Sequence, residues 1–417
     1  MKKVILLFSM VCYLWLQGQD SLSNPLNDAL EYKINSVVQK GIQQKAYPGA
    51  QVLIFKNDSI QLNKSYGFHT YDSIIRVENH HLYDLASVTK ILGGTLALMK
   101  LYELYDIDLD GKVADYIPLI KNTNKKNTTF REVLSHQAGW LPYIEHHKKL
   151  RRKNRKFKTR TLSNKQSKRY PNPISDSLYI HWKYKKRIMR KIKKTPVEKI
   201  GEYRYSGLLF FLLPRMVQDI SGQPFDTFLE DHFYKPMGIE RLTFNPSFHF
   251  QKEEIVPTEK DSLFRETLVH GWVHDEAAGL MGGISGNAGL FANSSSIAKL
   301  LEMFLNNGQL GGKQYLKPKT IELFSSRAYP KSKNRRGLGF DKPTLDTLAK
   351  NRHPSIKSSY SSYGHEGYTG NTVWIDPIHR CFMVFLSNRV YPTRENKNII
   401  NLLKIRSLVM DAAIQTE

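Results

Sequence analysis

Apolar residues recur along this chain with two periods. Between Asn27 and Gln44 they fall at Ala29, Leu30, Ile34, Val37, Val38 and Ile42, the spacing of one helix face. Ala50–Phe55 and Ile60–Phe68 are shorter runs split by Lys56-Asn57-Asp58-Ser59, which predicts two strands and a turn. From Ser87 to Tyr105, Ile91, Leu92, Leu96, Leu98, Met99 and Leu101 predict a second helix with Ser87 near its start. Further helices are expected over Arg131–Ser135, Leu208–Ile220 and Ser294–Leu305, the last capped by Asn293 or Ser294. Gly337–Phe340, Thr372–Ile375 and Cys381–Leu386 read as strands, and Asn396–Ala413 as a closing helix. The order is helix, strands, a long and mostly helical middle, strands, helix. It predicts an α/β chain of the α+β kind, with one sheet built from both ends and a helical domain inserted between them.

Two segments stand outside this pattern. Lys2 and Lys3 precede Val4–Leu16, a nearly unbroken apolar run too short to span a bilayer comfortably. With the small residue Gly18 following, residues 1–18 read as an export signal cleaved after Gly18 or Gln19; a retained N-terminal anchor is the alternative. Cys12 invites a lipoprotein reading, but Ser9-Met10-Val11 before it fits a lipobox poorly. Cys12 and Cys381 are the two cysteines. Removal of the signal leaves one and no intramolecular disulfide, so the protein relies on its core, and no Cys/His zinc spacing is present.

The second segment carries the charge. The chain is formally +24, and Lys148–Lys199 holds 21 basic residues against the acids Asp176 and Glu198, which is +19 of that total. Its first part, Lys148–Tyr170, has few large apolar residues and reads as an exposed loop or a disordered stretch, and the bland reading of the whole Lys148–Lys199 segment is a solvated, variable loop. The insertion, about 146–199, could meet anionic lipid or acidic wall polymers. Nucleic acid, the usual partner of such charge, is not expected for an exported protein.

Chemistry concentrates in three motifs. Ser87-Val88-Thr89-Lys90 is a Ser-x-x-Lys; residues three apart share a helix face, so the amine can approach the hydroxyl and act as the base that a serine nucleophile needs. Alone the motif is weak. Ser296-Ile297-Ala298-Lys299 is a second copy and reads as an ordinary helix start. Tyr205-Ser206-Gly207 follows; a phenol near Lys90 could relay a proton to a leaving group, with a satisfied core tyrosine as the bland reading and Tyr203 as the other candidate. Tyr363-Gly364-His365-Glu366-Gly367-Tyr368-Thr369-Gly370 precedes a predicted strand. Its glycines permit close approach of a ligand, and a free N–H there could pair with that of Ser87 as an oxyanion hole. A glycine-rich hairpin with a structural histidine is the alternative.

In this order the three motifs resemble the serine β-lactamase and penicillin-binding superfamily, and within it the class C-like branch, where the third motif is often His-x-Gly. Asp84-Leu85-Ala86-Ser87-Val88-Thr89-Lys90, Ile107–Pro118, Val133-Leu134-Ser135-His136-Gln137-Ala138-Gly139 and Met281–Phe291 extend the resemblance across most of the chain. Val273-His274-Asp275, Asn334-Arg335-Arg336-Gly337 and Leu386–Pro392 resemble the domain that some bacterial proteins carry fused to a family 3 glycoside hydrolase; this chain is too short to hold that partner. The resemblance implies an antiparallel sheet flanked by helices with an inserted all-helical domain. It implies an acyl-enzyme on Ser87, Lys90 and Tyr205 as the base system, and His365 in the third motif. It implies N–H groups of Ser87 and Tyr368 as the oxyanion hole, with Gly367 and Glu366 beside them. No cofactor or metal is implied. The expected substrates are amides or esters, often cell-wall peptides, met in the periplasm or cell envelope.

Two residues depart from the family pattern. Gly207 stands where Asn or Asp is usual, so a side chain that would hold lysine and substrate is missing. Glu366 follows His365 where Thr or Ser is usual; a carboxylate facing the site would repel a substrate carboxylate. These departures motivate an alternative, a catalytically impaired relative that binds wall fragments or a partner protein.

Overall fold

The computed structural model describes residues 25–151, 157–346, 352–396 and 398–415; the expected export segment lies outside them. Chain order begins with helix α1 (Pro25–Gln43) and strands β1 (Gly49–Lys56) and β2 (Ser59–Gly67). Helix α2 (Leu96–Tyr105), helix α3 (Leu208–Ser221) and helix α4 (Ser294–Leu305) follow. Strands β3 (Tyr363–Glu366), β4 (Thr372–Asp376) and β5 (Cys381–Ser387) and helix α5 (Ile405–Gln415) close the chain. The principal sheet has the order β3-β4-β5-β1-β2 with every neighbouring pair antiparallel. The two ends of the chain therefore meet where β1 pairs with β5, as the order of apolar runs predicts.

Alternation of side chains across the pleat sorts this sheet into two cores. Ala50, Val52 and Ile54 of β1, opposite Met383 and Phe385 of β5, face α1 and α5. Leu53 and Phe55, opposite Val384 and Phe382, face α4 and the larger core that runs on into the helical region. Phe55 and Phe382 stack at 4.6 Å between ring centroids. Gln51 shares the α4 side and is fully buried: its amide donates to Glu78 O and His81 O, and its oxygen accepts from the Ser294 N–H that opens α4.

Four expectations are corrected. Gly337–Phe340 is a loop, because Gly339 takes φ +87° and the N–H groups of Gly337, Leu338 and Gly339 go to Phe340, Phe324 and Leu134 instead of a strand partner. The closing helix is broken at Lys404, whose φ is +53°, into Ile399–Leu402 and α5. Ser87–Tyr105 is not one α-helix: a 3₁₀ turn at Ala86–Val88 leads into a π-helical stretch, Lys90–Thr95, before α2. Gly94 admits Phe210 and the Gly286 carbonyl so closely that a β-carbon would stand 2.7–2.8 Å from them, and such widened turns accumulate at functional sites.

The fourth correction concerns the basic insertion. In its described part Leu162–Ser163 and Asn172–Ser175 flank Leu178–Ile180 in a small antiparallel sheet, and a helix runs over Tyr184–Lys194. Leu150, Leu162, Ile174, Leu178, Ile180, Tyr184, Ile188 and Ile192 are buried in the larger core. These few apolar residues all point inward, which is why a charge-rich composition here still folds. Replacing Phe382 by Ala should cost about 3–5 kcal/mol, read as a lower urea midpoint with unchanged slope; a loss under about 1 kcal/mol would place the β1–β5 seam outside the cooperative core.

Candidate active site

Ser87 is presented by a tight turn. Asp84, buried, accepts the N–H of Ala86 at 2.8 Å and that of His274 at 2.6 Å, and Ala86 is held at φ +44°. The main-chain oxygen of Asp84 accepts from Thr369 Oγ1 at 2.8 Å and Asn371 Nδ2 at 2.6 Å. One residue thus joins the Ser87 turn to the hairpin after β3. Burial pushes the Asp84 carboxyl up, against the two N–H bonds that favour its charged form. Sequence reasoning passed over Asp84; its place three residues before Ser87 was the available signal.

Lys90 is buried at 3% exposure, and its Nζ donates to Ser87 Oγ at 2.9 Å and to the Asn287 carbonyl at 3.1 Å. The Nζ also lies 5.3 Å from the centre of the Tyr205 ring and 5.6 Å from that of Phe210. Tyr205, rather than Tyr203, stands over the amine. Tyr203 is turned outward and accepts from Arg336 Nη2 at 3.0 Å. Among the described residues the Tyr205 hydroxyl has no hydrogen-bond partner.

Two buried histidines flank Tyr205. His365, on β3, has its Nδ1 2.8 Å from the Glu366 carbonyl, which fixes the proton there and leaves Nε2 as a bare acceptor, buried and without a partner. Its ring centre is 6.1 Å from that of Tyr205. Burial, then Arg336 and Lys90, push His365 down to about 3. His136, in the Leu134-Ser135-His136 segment, packs 4.5 Å from Tyr205 and accepts the Ser206 N–H on Nδ1. Burial and the same two cations hold it well below the ordinary imidazole range. Both rings are therefore neutral near pH 7.

The turn after β3 closes the site. A β-carbon on Gly367 would stand 2.7 Å from the Leu85 carbonyl, so glycine is what lets this turn lie against the nucleophile segment. Among the described residues the N–H groups of Ser87 and Tyr368 meet no acceptor. The Tyr368 ring stacks on His274 at 5.9 Å, and the Arg389 guanidinium lies 4.6 Å from its centre. A cleft of about 350 Å³ brings together Ser87, Tyr205, His365, Gly367 and Tyr368 with Arg336, Arg389, Arg406, Asp341 and Glu366.

Both departures have a structural setting. Glu366 lines the cleft, but Arg406 Nη2 approaches its carboxylate to 3.3 Å and His353 Nδ1 to 3.9 Å. Three guanidinium groups face two carboxylates there, so the cleft keeps an excess of positive charge. Gly207 caps α3 at φ −92°, and a β-carbon on it would lie 3.9 Å from both Lys90 Cε and Asn287 Cβ. Space for a side chain is open beside the lysine, and the Asn287 carbonyl takes the lysine hydrogen bond. Ser296 and Lys299 sit far from this chemistry: Asn293 Oδ1 accepts the Ser296 N–H, and Lys299 donates to Gly238 O.

The chain belongs to the Beta-lactamase family, whose model matches residues 34–405, and is a serine hydrolase of the carboxypeptidase, esterase or amidase type. It is 31% identical over 377 residues to an Escherichia coli K12 protein named "Putative D-alanyl-D-alanine carboxypeptidase", covering 82% of this chain and 79% of that one. In fold it is similar to EstCE1, a hydrolase with promiscuous acyltransferase activity, at TM-score 0.65 and 16% identity over 94% of this chain and 100% of the other. A penicillin-binding protein homologue from Caulobacter crescentus superposes at TM-score 0.63 and 15% identity, over 92% and 97%.

The buried histidines carry a pH consequence. A histidine whose folded pKa is about 3 against an ordinary 6.5 takes up its proton first in the unfolded chain. Its contribution to stability is full above 6.5 and is lost as pH falls from there toward 3, at about 1.4 kcal/mol per pH unit. Urea midpoints should therefore fall from about pH 6.5 to about pH 5, above the range in which ordinary carboxylates titrate, and His365→Asn should reduce that slope by about one proton. An unchanged slope would show that His365 is protonated in the folded protein.

Proposed function

We propose that the protein hydrolyses amide or ester bonds through an acyl-enzyme on Ser87, with cell-wall peptides ending in D-alanine as the leading substrate class. The observation that carries this reading is the 2.9 Å contact between Lys90 Nζ and Ser87 Oγ, buried and held from behind by the Asn287 carbonyl. A neutral Lys90 would donate one N–H to Asn287 and turn its lone pair on the Ser87 hydroxyl. Ser87 Oγ then bonds to the substrate carbonyl carbon as its proton passes to Lys90. The oxyanion is met by the N–H groups of Ser87 and Tyr368. Collapse breaks the bond to the leaving amine or alcohol, and Tyr205 passes it the proton from Lys90. Water, deprotonated by the same pair, releases the acid and restores Ser87. His365, neutral with Nε2 unpartnered, is placed to accept a hydrogen bond from Tyr205 or substrate.

The carboxypeptidase name of the E. coli relative supports the peptide substrate, and the excess of guanidinium groups in the cleft suits a substrate that carries a carboxylate. Export through residues 1–18 would bring the protein to such substrates in the periplasm or envelope. A second reading, wall-fragment binding without turnover, rests on Gly207. Hydrolysis of an acylated D-alanyl-D-alanine peptide and of a short ester, followed by mass spectrometry, separates the two. Ser87→Ala and Lys90→Ala should each lower kcat/KM by at least about 10³-fold, with binding retained. Turnover by neither substrate in folded protein, with binding of the peptide, would favour the second reading; turnover unaffected by Ser87→Ala would refute the first.

A further inference from the structure

The folded part of the basic insertion has two unlike sides. On the helix Tyr184–Lys194, Tyr184, Ile188 and Ile192 recur every four residues and are buried at 3% or less. Lys183, Lys186, Arg187, Arg190 and Lys194 are exposed on the opposite side, one stripe along a single helix. No acid occurs between Asp176 and Glu198. Among the described residues none of the cations from Lys183 to Lys194 forms an ion pair, although Lys149 and Lys158 lie near enough to Lys191 to add to the repulsion. Trp182, just before the helix, is 48% exposed, with Lys183 Nζ 4.9 Å from its ring centre.

This lobe is anchored rigidly. Arg265 Nε donates to Ile174 O at 2.9 Å, and Trp272 Nε1 to Asp176 Oδ1 at 2.7 Å. Asn172 packs against Gly282 in the glycine-rich segment that leads to Asn287. The fold therefore holds like charges together on one exposed helix face, which costs stability unless an anionic surface meets them.

We propose that this face seats on an anionic lipid surface, the helix lying flat at the headgroups and Trp182 entering the interface. The basic stripe runs along one helix, and an exposed tryptophan beside lysines is the side-chain chemistry of a membrane interface, which a soluble polyanion would not need.

Co-sedimentation of the full-length protein with phosphatidylcholine vesicles, pure or one-quarter phosphatidylglycerol, tests this. The apolar run Val4–Leu16 can bind both vesicle types, so the difference between them is the readout. Binding should favour the anionic vesicles by at least about tenfold in about 0.05 M salt and lose that preference in about 0.5 M. The set Lys186→Gln, Arg187→Gln, Arg190→Gln and Lys194→Gln should abolish the preference while circular dichroism and hydrolysis stay unchanged. Trp182→Ala should weaken binding to anionic vesicles severalfold and leave binding to soluble polyphosphate unaltered. Equal binding to both vesicle types, or a preference retained by the glutamine set, would overturn the proposal. Trp182→Ala without effect on vesicles, combined with complete competition by polyphosphate, would reassign the face to a soluble polyanion.

Discussion

Asp84 ties together parts of the chain that meet at Ser87 and are remote in sequence. Its carboxylate fixes the turn at Ala86 and the main chain at His274. Its carbonyl holds Thr369 and Asn371, and the Asn371 side-chain oxygen accepts the N–H of Ser387 at the end of β5. Loss of these bonds would leave buried donors without acceptors, a cost of about 1–3 kcal/mol each. It would also free the Ser87 turn from the hairpin that carries Tyr368. The sheet supplies rigidity, and Asp84 adds the bonds that set Ser87 against the hairpin carrying Tyr368.

Charge in the cleft follows from burial. His136 and His365 are kept neutral by desolvation and by the neighbouring Arg336 and Lys90. Arg336 is itself paired with Asp341 at 3.2 Å and lies over the Tyr203 and Tyr205 rings. The Asn334-Arg335-Arg336 loop, expected to lead into a strand, instead delivers these cations to the site.

Much of this arrangement was legible in the residues. Period-2 and period-3.6 patterns located β1, β2, β4, β5, α1, α3 and α4, and the spacing of Ser87 and Lys90 placed amine beside hydroxyl. The rest depended on tertiary contacts that no local pattern encodes. Within the π-helical stretch Lys90–Thr95, Gly94 lies against Phe210 and Gly286, residues remote in sequence. The partnering of Glu366 by Arg406 joins β3 to the final helix, and the roles of Asp84, His136 and Arg336 follow from their neighbours. The basic insertion misled because composition counts charges while folding depends on where the few apolar residues point.

The proposed role of the buried Lys90 is to make the Ser87 hydroxyl nucleophilic. The most direct measurement is intact mass and peptide mapping after exposure to a fluorophosphonate, for the native protein beside Lys90→Ala and Ser87→Ala. The account predicts one adduct on the peptide containing Ser87 in the native protein, slowed by at least about 10²-fold in Lys90→Ala and absent in Ser87→Ala. A folded native protein that takes no label, or labels elsewhere, would contradict it.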